Sequence, residues 1–162
     1  MKAFPLAPMS AVIRWFTVAL MVLPITFISL AALGKPPGAW PALLVVVIYA
    51  WIWFGFRPTQ FIVHADALEV VWPLKRRVLP RADITGVRLI DRRDLRSEIG
   101  WGLRVGAGGL WGAFGSLWTQ RRGVVKIYIS RTDGFVWIDR GSEQPWLITP
   151  ERPEEFVRAL SG

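Results

Sequence analysis

The 162-residue chain has no cysteine, a single histidine and, up to Phe56, no acidic residue. Without cysteine there is no disulfide framework, thiolate zinc site or sulfur nucleophile. This absence does not fix a compartment, because cytoplasmic and exported domains can both lack cysteine. His64 stands alone, with no metal-ligand spacing around it, and reads as a structural strand histidine. No serine or threonine has a plausible histidine base nearby in sequence. Asp91/Asp94 and Glu154/Glu155 read as a charged turn and a helix start rather than a catalytic pair. No catalytic, cofactor-binding or metal-binding residue is therefore assigned, and an enzyme is not expected.

Charge is scarce in the first third, where Lys2, Arg14 and Lys35 are the only charges before Arg57. From Arg57 onward there are 17 basic and 12 acidic residues, a net charge of +5. An apolar third is thus joined to a polar region long enough for one modest core. A positive domain beside a bilayer is attracted to anionic headgroups, at about 1 kcal/mol per basic residue near the surface. Nucleic acid is the other usual partner of a basic domain. For a tethered domain lipid is the simpler reading, and nucleic acid is not expected.

Two uncharged stretches dominate the apolar third. The first, Val12–Leu33, has 22 residues, with Arg14 and Trp15 at its start. As a helix it would be about 33 Å long, enough to cross a hydrocarbon core of about 30 Å. The second, Trp40–Phe56, has 17 residues, or about 26 Å of helix. Gly34–Ala39 carries two prolines and two glycines, which stop one helix and let the next begin. The expectation is an antiparallel transmembrane hairpin over residues 1–56, with helices at about 12–33 and 40–56. Basic residues cluster at Lys2 and Arg14 and again at Arg57 and Lys75–Arg77, so the positive-inside rule puts both termini in the cytoplasm. The expected location is the bacterial inner membrane, multi-pass. A signal peptide cut near Ser29-Leu30-Ala31 is a rival reading, although the run is long for one.

Beyond Phe61 the apolar period changes to two, the signature of strands. Phe61–His64 and Leu68–Trp72 read as a hairpin, and Val78-Leu79 and Asp83–Ile90 as further strands. Val124–Ser130 and Phe135–Asp139 read as a second hairpin about Thr132-Asp133-Gly134, followed by a strand at Trp146–Ile148. Thr149–Pro153 supplies a polar cap and helix-start prolines, and Phe156, Val157 and Leu160 share one helix face. About seven strands and one amphipathic helix give a mainly β domain over residues 57–162.

The segments "FIVHADALEVVW", "LPRADITGVRLI" and "GWGLRVGAGGLWGAFGSLW" come first, then "GVVKIYISRTDGFVWID" and "LITPERPEEFVRAL". In this order they resemble the bacterial PH-like domains (pleckstrin-homology superfold) that follow two N-terminal transmembrane helices. The last two segments carry most of the likeness. The resemblance implies a non-enzymatic, curved antiparallel barrel with its C-terminal helix as a cap, sometimes oligomeric. It names no catalytic residue. The phosphoinositide specificity of eukaryotic PH domains does not carry over, because their phosphate-binding loop has no match here.

Ile99–Trp118 holds seven glycines, three tryptophans and one charge, Arg104. A third transmembrane helix is one reading, with Gly102/Gly106 and Gly108/Gly112 as packing pairs. So many glycines and a buried arginine oppose it. A strand running into a flexible loop is preferred. Trp111, Phe114 and Trp118 on that loop are candidate membrane-interface aromatics, with packing into the core or against the tether as the alternative. Lys75, Arg76 and Arg77, with Arg121 and Arg122, are candidate contacts for anionic lipid or an acidic partner. The expected role is a membrane-anchored module mediating assembly or lipid and protein contacts. Its partners would be the bilayer, anionic headgroups, and a second copy or another membrane protein. The alternative is an accessory subunit of a larger membrane transport or envelope-stress complex.

Overall fold

The computed structural model describes residues 1–37 and 39–162. Gly38, part of the inter-helix loop, lies outside the described residues. The chain runs β1 (Lys2–Pro5), α1 (Ala11–Ala32), α2 (Ala39–Gly55), β2 (Gln60–Val63), β3 (Ala67–Val71) and β4 (Arg76–Pro80). A 3₁₀ turn at Arg81–Asp83 precedes β5 (Gly86–Ile90), α3 (Arg92–Ile99), β6 (Gly102–Gly108), β7 (Ala113–Thr119) and β8 (Gly123–Ile129). Then come β9 (Phe135–Arg140), β10 (Glu143–Ile148) and α4 (Pro153–Ser161).

The strands form two sheets, one ordered β1-β2-β3-β4 and one ordered β5-β9-β10-β8-β7-β6. The segment before the first helix therefore belongs to the β region: Lys2 to Pro5 pair antiparallel with Val63 to Gln60. The helix pair is an excursion from the tip of the β1–β2 hairpin. Removal of the chain up to Ala31, as in the signal-peptide reading, would strip an edge strand from this sheet.

One core lies between the sheets and under α4, and includes Phe4, Phe61, Leu68, Val70, Leu79, Val136, Ile138, Trp146 and Phe156. Alternation sends the neighbouring side chains of the larger sheet the other way. Val125, Ile127, Trp137 and Leu147 pack with Leu95 of α3 on its outer face. The six-stranded sheet is thus covered on both faces. The two sheets meet at a corner, where Leu6 bridges Pro150 and the Ala7 N–H donates to the Thr149 carbonyl at 3.0 Å. Among the described residues they do not close into a barrel.

Four expectations need correction. Nine strands follow the helices rather than about seven, and β10 runs parallel to β8. β8 and β9 are not paired, because β10 lies between them. The charged turn at Asp91 is the start of α3, whose Arg93 and Asp94 N–H groups donate to the Asp91 carboxylate at 2.7 and 2.8 Å. Ile99–Trp118 is neither a span nor a loop but the β6–β7 hairpin. Its glycines serve close approach: Gly106 faces Gly115 with both φ angles positive, and a Cβ on either would run into the opposite strand's backbone. Thr149 does not cap α4; its hydroxyl accepts from the Ser130 N–H at 2.9 Å, and α4 starts with Pro153 in its first turn.

α1 is long and apolar enough to cross a membrane, while α2 is apolar and 17 residues long. The Tyr49 hydroxyl ties them by donating to the Leu20 carbonyl at 2.7 Å. Their large apolar side chains face outward, with Trp15 71% and Trp51 69% exposed. Only Thr17 and Pro24 of α1 and Ala42 of α2 are buried, which is at odds with a buried soluble hairpin.

The chain ends meet over α4. The Phe4 and Phe156 rings pack edge to face at 5.2 Å, and Lys2 Nζ donates to Glu155 Oε2 at 3.1 Å. Phe4→Ala is expected to lower stability by about 3–5 kcal/mol, read as a drop in the unfolding midpoint of the full chain in detergent. An unchanged midpoint would remove β1 from the core.

Candidate functional site

The helices and the β region meet at two places. The first is the tip of the β6–β7 hairpin. The Trp111 N–H donates to Thr17 Oγ1 at 2.9 Å, and the same hydroxyl lies 2.9 Å from the Ile13 carbonyl and 3.1 Å from the Gly109 carbonyl. A threonine hydroxyl can donate to either carbonyl while accepting from the amide. Trp111 then packs edge to face on Trp53 of α2 at 4.8 Å and on Tyr49 at 6.2 Å. One hairpin tip thus grips both helices.

The second contact is the end of α2. Trp72, just after β3, donates through Nε1 to the Phe56 carbonyl at 3.0 Å. The Arg57 guanidinium lies 4.4 Å from the Trp53 ring centroid, and burial lowers its pKa.

The aromatic candidates separate accordingly. Trp111 is a docking residue against the helices. Phe114 is fully buried in the inter-sheet core and has no surface to offer a membrane. Trp118 stays exposed on β7, its ring 6.1 Å from that of Trp101.

The basic candidates also separate. Arg76 and Arg77 lie in β4 rather than in a turn, so their side chains leave opposite faces. Arg76 donates to Glu69 Oε1 at 3.2 Å on the outer face, where His64 contacts Glu69 Oε2 at 3.0 Å. The His64 hydrogen bond, opposed by burial and helped by Arg76, holds the Glu69 carboxyl below its ordinary pKa. This is a structural trio. Arg121 donates to the Ser97 carbonyl at 2.6 Å and Arg122 pairs with Glu98, so both clasp the end of α3. They do not join Lys75 and Arg77.

The cations that do converge with Arg77 are Lys126 on β8 and Arg140 on β9. On each strand they take the register of an inward residue: Arg77 with Leu79, Lys126 with Tyr128, and Arg140 with Ile138. They stand at the open end of the inter-sheet space, beyond the last apolar layer. Arg77 and Arg140 lie 5.3 and 5.1 Å from the Trp146 ring centroid. Sequence reasoning missed Lys126 and Arg140. The alternation through Val124–Ser130 already put Lys126 on the side of Tyr128, and that was the available signal.

A β-rich domain of two packed sheets, carried on an apolar helix long enough to cross a membrane, is the class this architecture defines. Residues 59–162 match the family model described as "Bacterial PH domain", and the chain belongs to that family. No curated protein and no solved structure matches.

Thr17→Val keeps the shape of the side chain but strands the buried Trp111 N–H. It is expected to cost about 1–3 kcal/mol, while Thr17→Ser stays near wild type. Thermal unfolding of both variants in detergent checks this. Equal midpoints for the two would mean that Thr17 does not hold the hairpin tip.

Proposed function

We propose that the protein is a membrane-anchored, non-catalytic PH-like module that makes lipid or protein contacts at the cytoplasmic face of the bacterial inner membrane. The observation that carries this reading is the pairing of β1 with β2. Because these strands are hydrogen-bonded neighbours, Pro5 and Gln60 must lie on the same side of any bilayer. A chain that crosses through α1 must therefore return before Gln60, and α2 is the apolar helix available for the return. Its length of about 26 Å is short for a core of about 30 Å, a mismatch met by local thinning and by interfacial side chains. Trp51, Trp53 and Arg57 at its end suit that interface. Basic residues at Lys2, Arg14, Arg57 and Lys75 favour the cytoplasm for both termini.

A second reading, an accessory subunit of a larger transport or envelope-stress complex, is favoured by β6. It is an edge strand with Leu103 57% and Val105 65% exposed. Such an edge invites pairing with a second copy or a membrane-protein partner.

Alkaline carbonate washing of membranes from cells making the full chain tests the anchor. The chain is expected to stay in the pellet; its release into the supernatant would contradict membrane insertion. For the second reading, a detergent-purified chain that sediments only as a monomer, with nothing co-purified, would remove it.

A further inference from the structure

The inward cations sit over a ladder of aromatic rings. Trp72 packs on Tyr128 at 5.4 Å, and Tyr128 on Trp146 at 5.8 Å. Lys75 Nζ stands 5.0 Å from the Trp72 ring centroid at one end, and Arg77 and Arg140 stand over Trp146 at the other. Two adjoining cavities open along this ladder. One of about 410 Å³ is lined by Arg77, Lys126, Arg140, Ser142, Glu143 and Gln144. The other, about 220 Å³, shares Arg77 and Lys126 and extends to Lys75, Tyr128 and the end of α2 at Gly55 and Phe56.

The charge in this cleft is unbalanced. Arg77, Lys126, Arg140 and Lys75 face a single carboxylate, Glu143, which pairs with Arg140. Arg140 is only 8% exposed, and its Nε–H is buried without a hydrogen-bond partner among the described residues. The indole N–H of Trp146 is likewise buried and unpartnered. A buried guanidinium with a free donor is costly unless an anion completes it. The Tyr128 hydroxyl lies close to both arginines: burial raises its pKa, and the charges of Arg77 and Arg140 oppose the rise.

We propose that Arg77, Lys126 and Arg140 form a binding site for a phosphate group, presented by a phospholipid headgroup where α2 leaves the membrane. Arginine donors match phosphate oxygens in charge and in fork geometry. The volume suits a headgroup-sized ligand. The phosphate chemistry stands on the cleft alone, whereas the lipid source rests on the membrane anchoring proposed above.

The test is calorimetric titration of the full chain in a maltoside detergent with two probes, dihexanoyl phosphatidic acid and inorganic phosphate. The lipid is expected to bind saturably. Arg77→Gln and Lys126→Gln, both at positions with solvent access, are expected to weaken it at least tenfold, and Arg121→Gln to leave it unchanged. Glu143→Gln, which frees Arg140, is expected to tighten it. Inorganic phosphate binding as tightly as the lipid would overturn the headgroup source. No saturable binding of either probe, or equal weakening by Arg121→Gln, would overturn the site itself. Carbonate-resistant membrane retention of Arg77→Gln and Lys126→Gln is read in parallel; it depends on the helices, so a failed cleft is distinguishable from a failed anchor.

Discussion

The hydrogen-bonded pairing of Lys2–Pro5 with Gln60–Val63 constrains everything else in this protein. It turns the apolar helices from a leader into a loop inserted in a β-hairpin, and it fixes both ends of that loop on one side of a bilayer. It also brings Phe4 onto Phe156, so the first strand and the last helix share a core. The match to the bacterial PH domain begins at residue 59, yet the smaller sheet takes its edge strand from the other side of the helices.

A second constraint is the double burial of the larger sheet. One face meets the smaller sheet and α4, the other meets α3. Strand residues on both faces are therefore apolar in the middle of the sheet, and charge is confined to strand ends and edges. At one such end the inward registers of β4, β8 and β9 carry Arg77, Lys126 and Arg140 in place of an apolar layer. The contacts of Trp111 with Thr17, Tyr49 and Trp53 hold the helices and the β region in one arrangement. The cleft consequently opens beside Gly55 and Phe56, where the chain leaves its apolar segment.

Much of this was legible in the residues. The two helices were visible to within a residue, because long uncharged runs between glycine and proline breaks leave few alternatives. The first hairpin and the C-terminal helix followed from period and capping chemistry. What escaped depends on contacts distant in sequence. β1 is four residues long and has no partner until Gln60. The β7 strand was hidden by glycines that look like loop, and their purpose, close approach across a hairpin, exists only once the strands are paired. α3 was masked by a charged composition whose single deep anchor is Leu95. The β8–β9 hairpin misled because a good turn does not prevent a third strand from lying between its arms. The basic candidates were grouped by sequence adjacency, whereas strand alternation sent Arg76 and Arg77 to opposite faces and brought in Lys126 and Arg140 from elsewhere.

The most direct measurement of the inserted-hairpin topology is thiol accessibility in intact cells. The chain has no cysteine of its own, so single cysteines can replace Lys2, Lys35 and Ser161 and be probed with an impermeant maleimide. The expected result is labelling of position 35 alone, with positions 2 and 161 reacting only after lysis. Labelling of position 2 in intact cells while position 161 stays protected would put the two ends of the chain on opposite sides of the membrane, and the β1–β2 pairing could not stand.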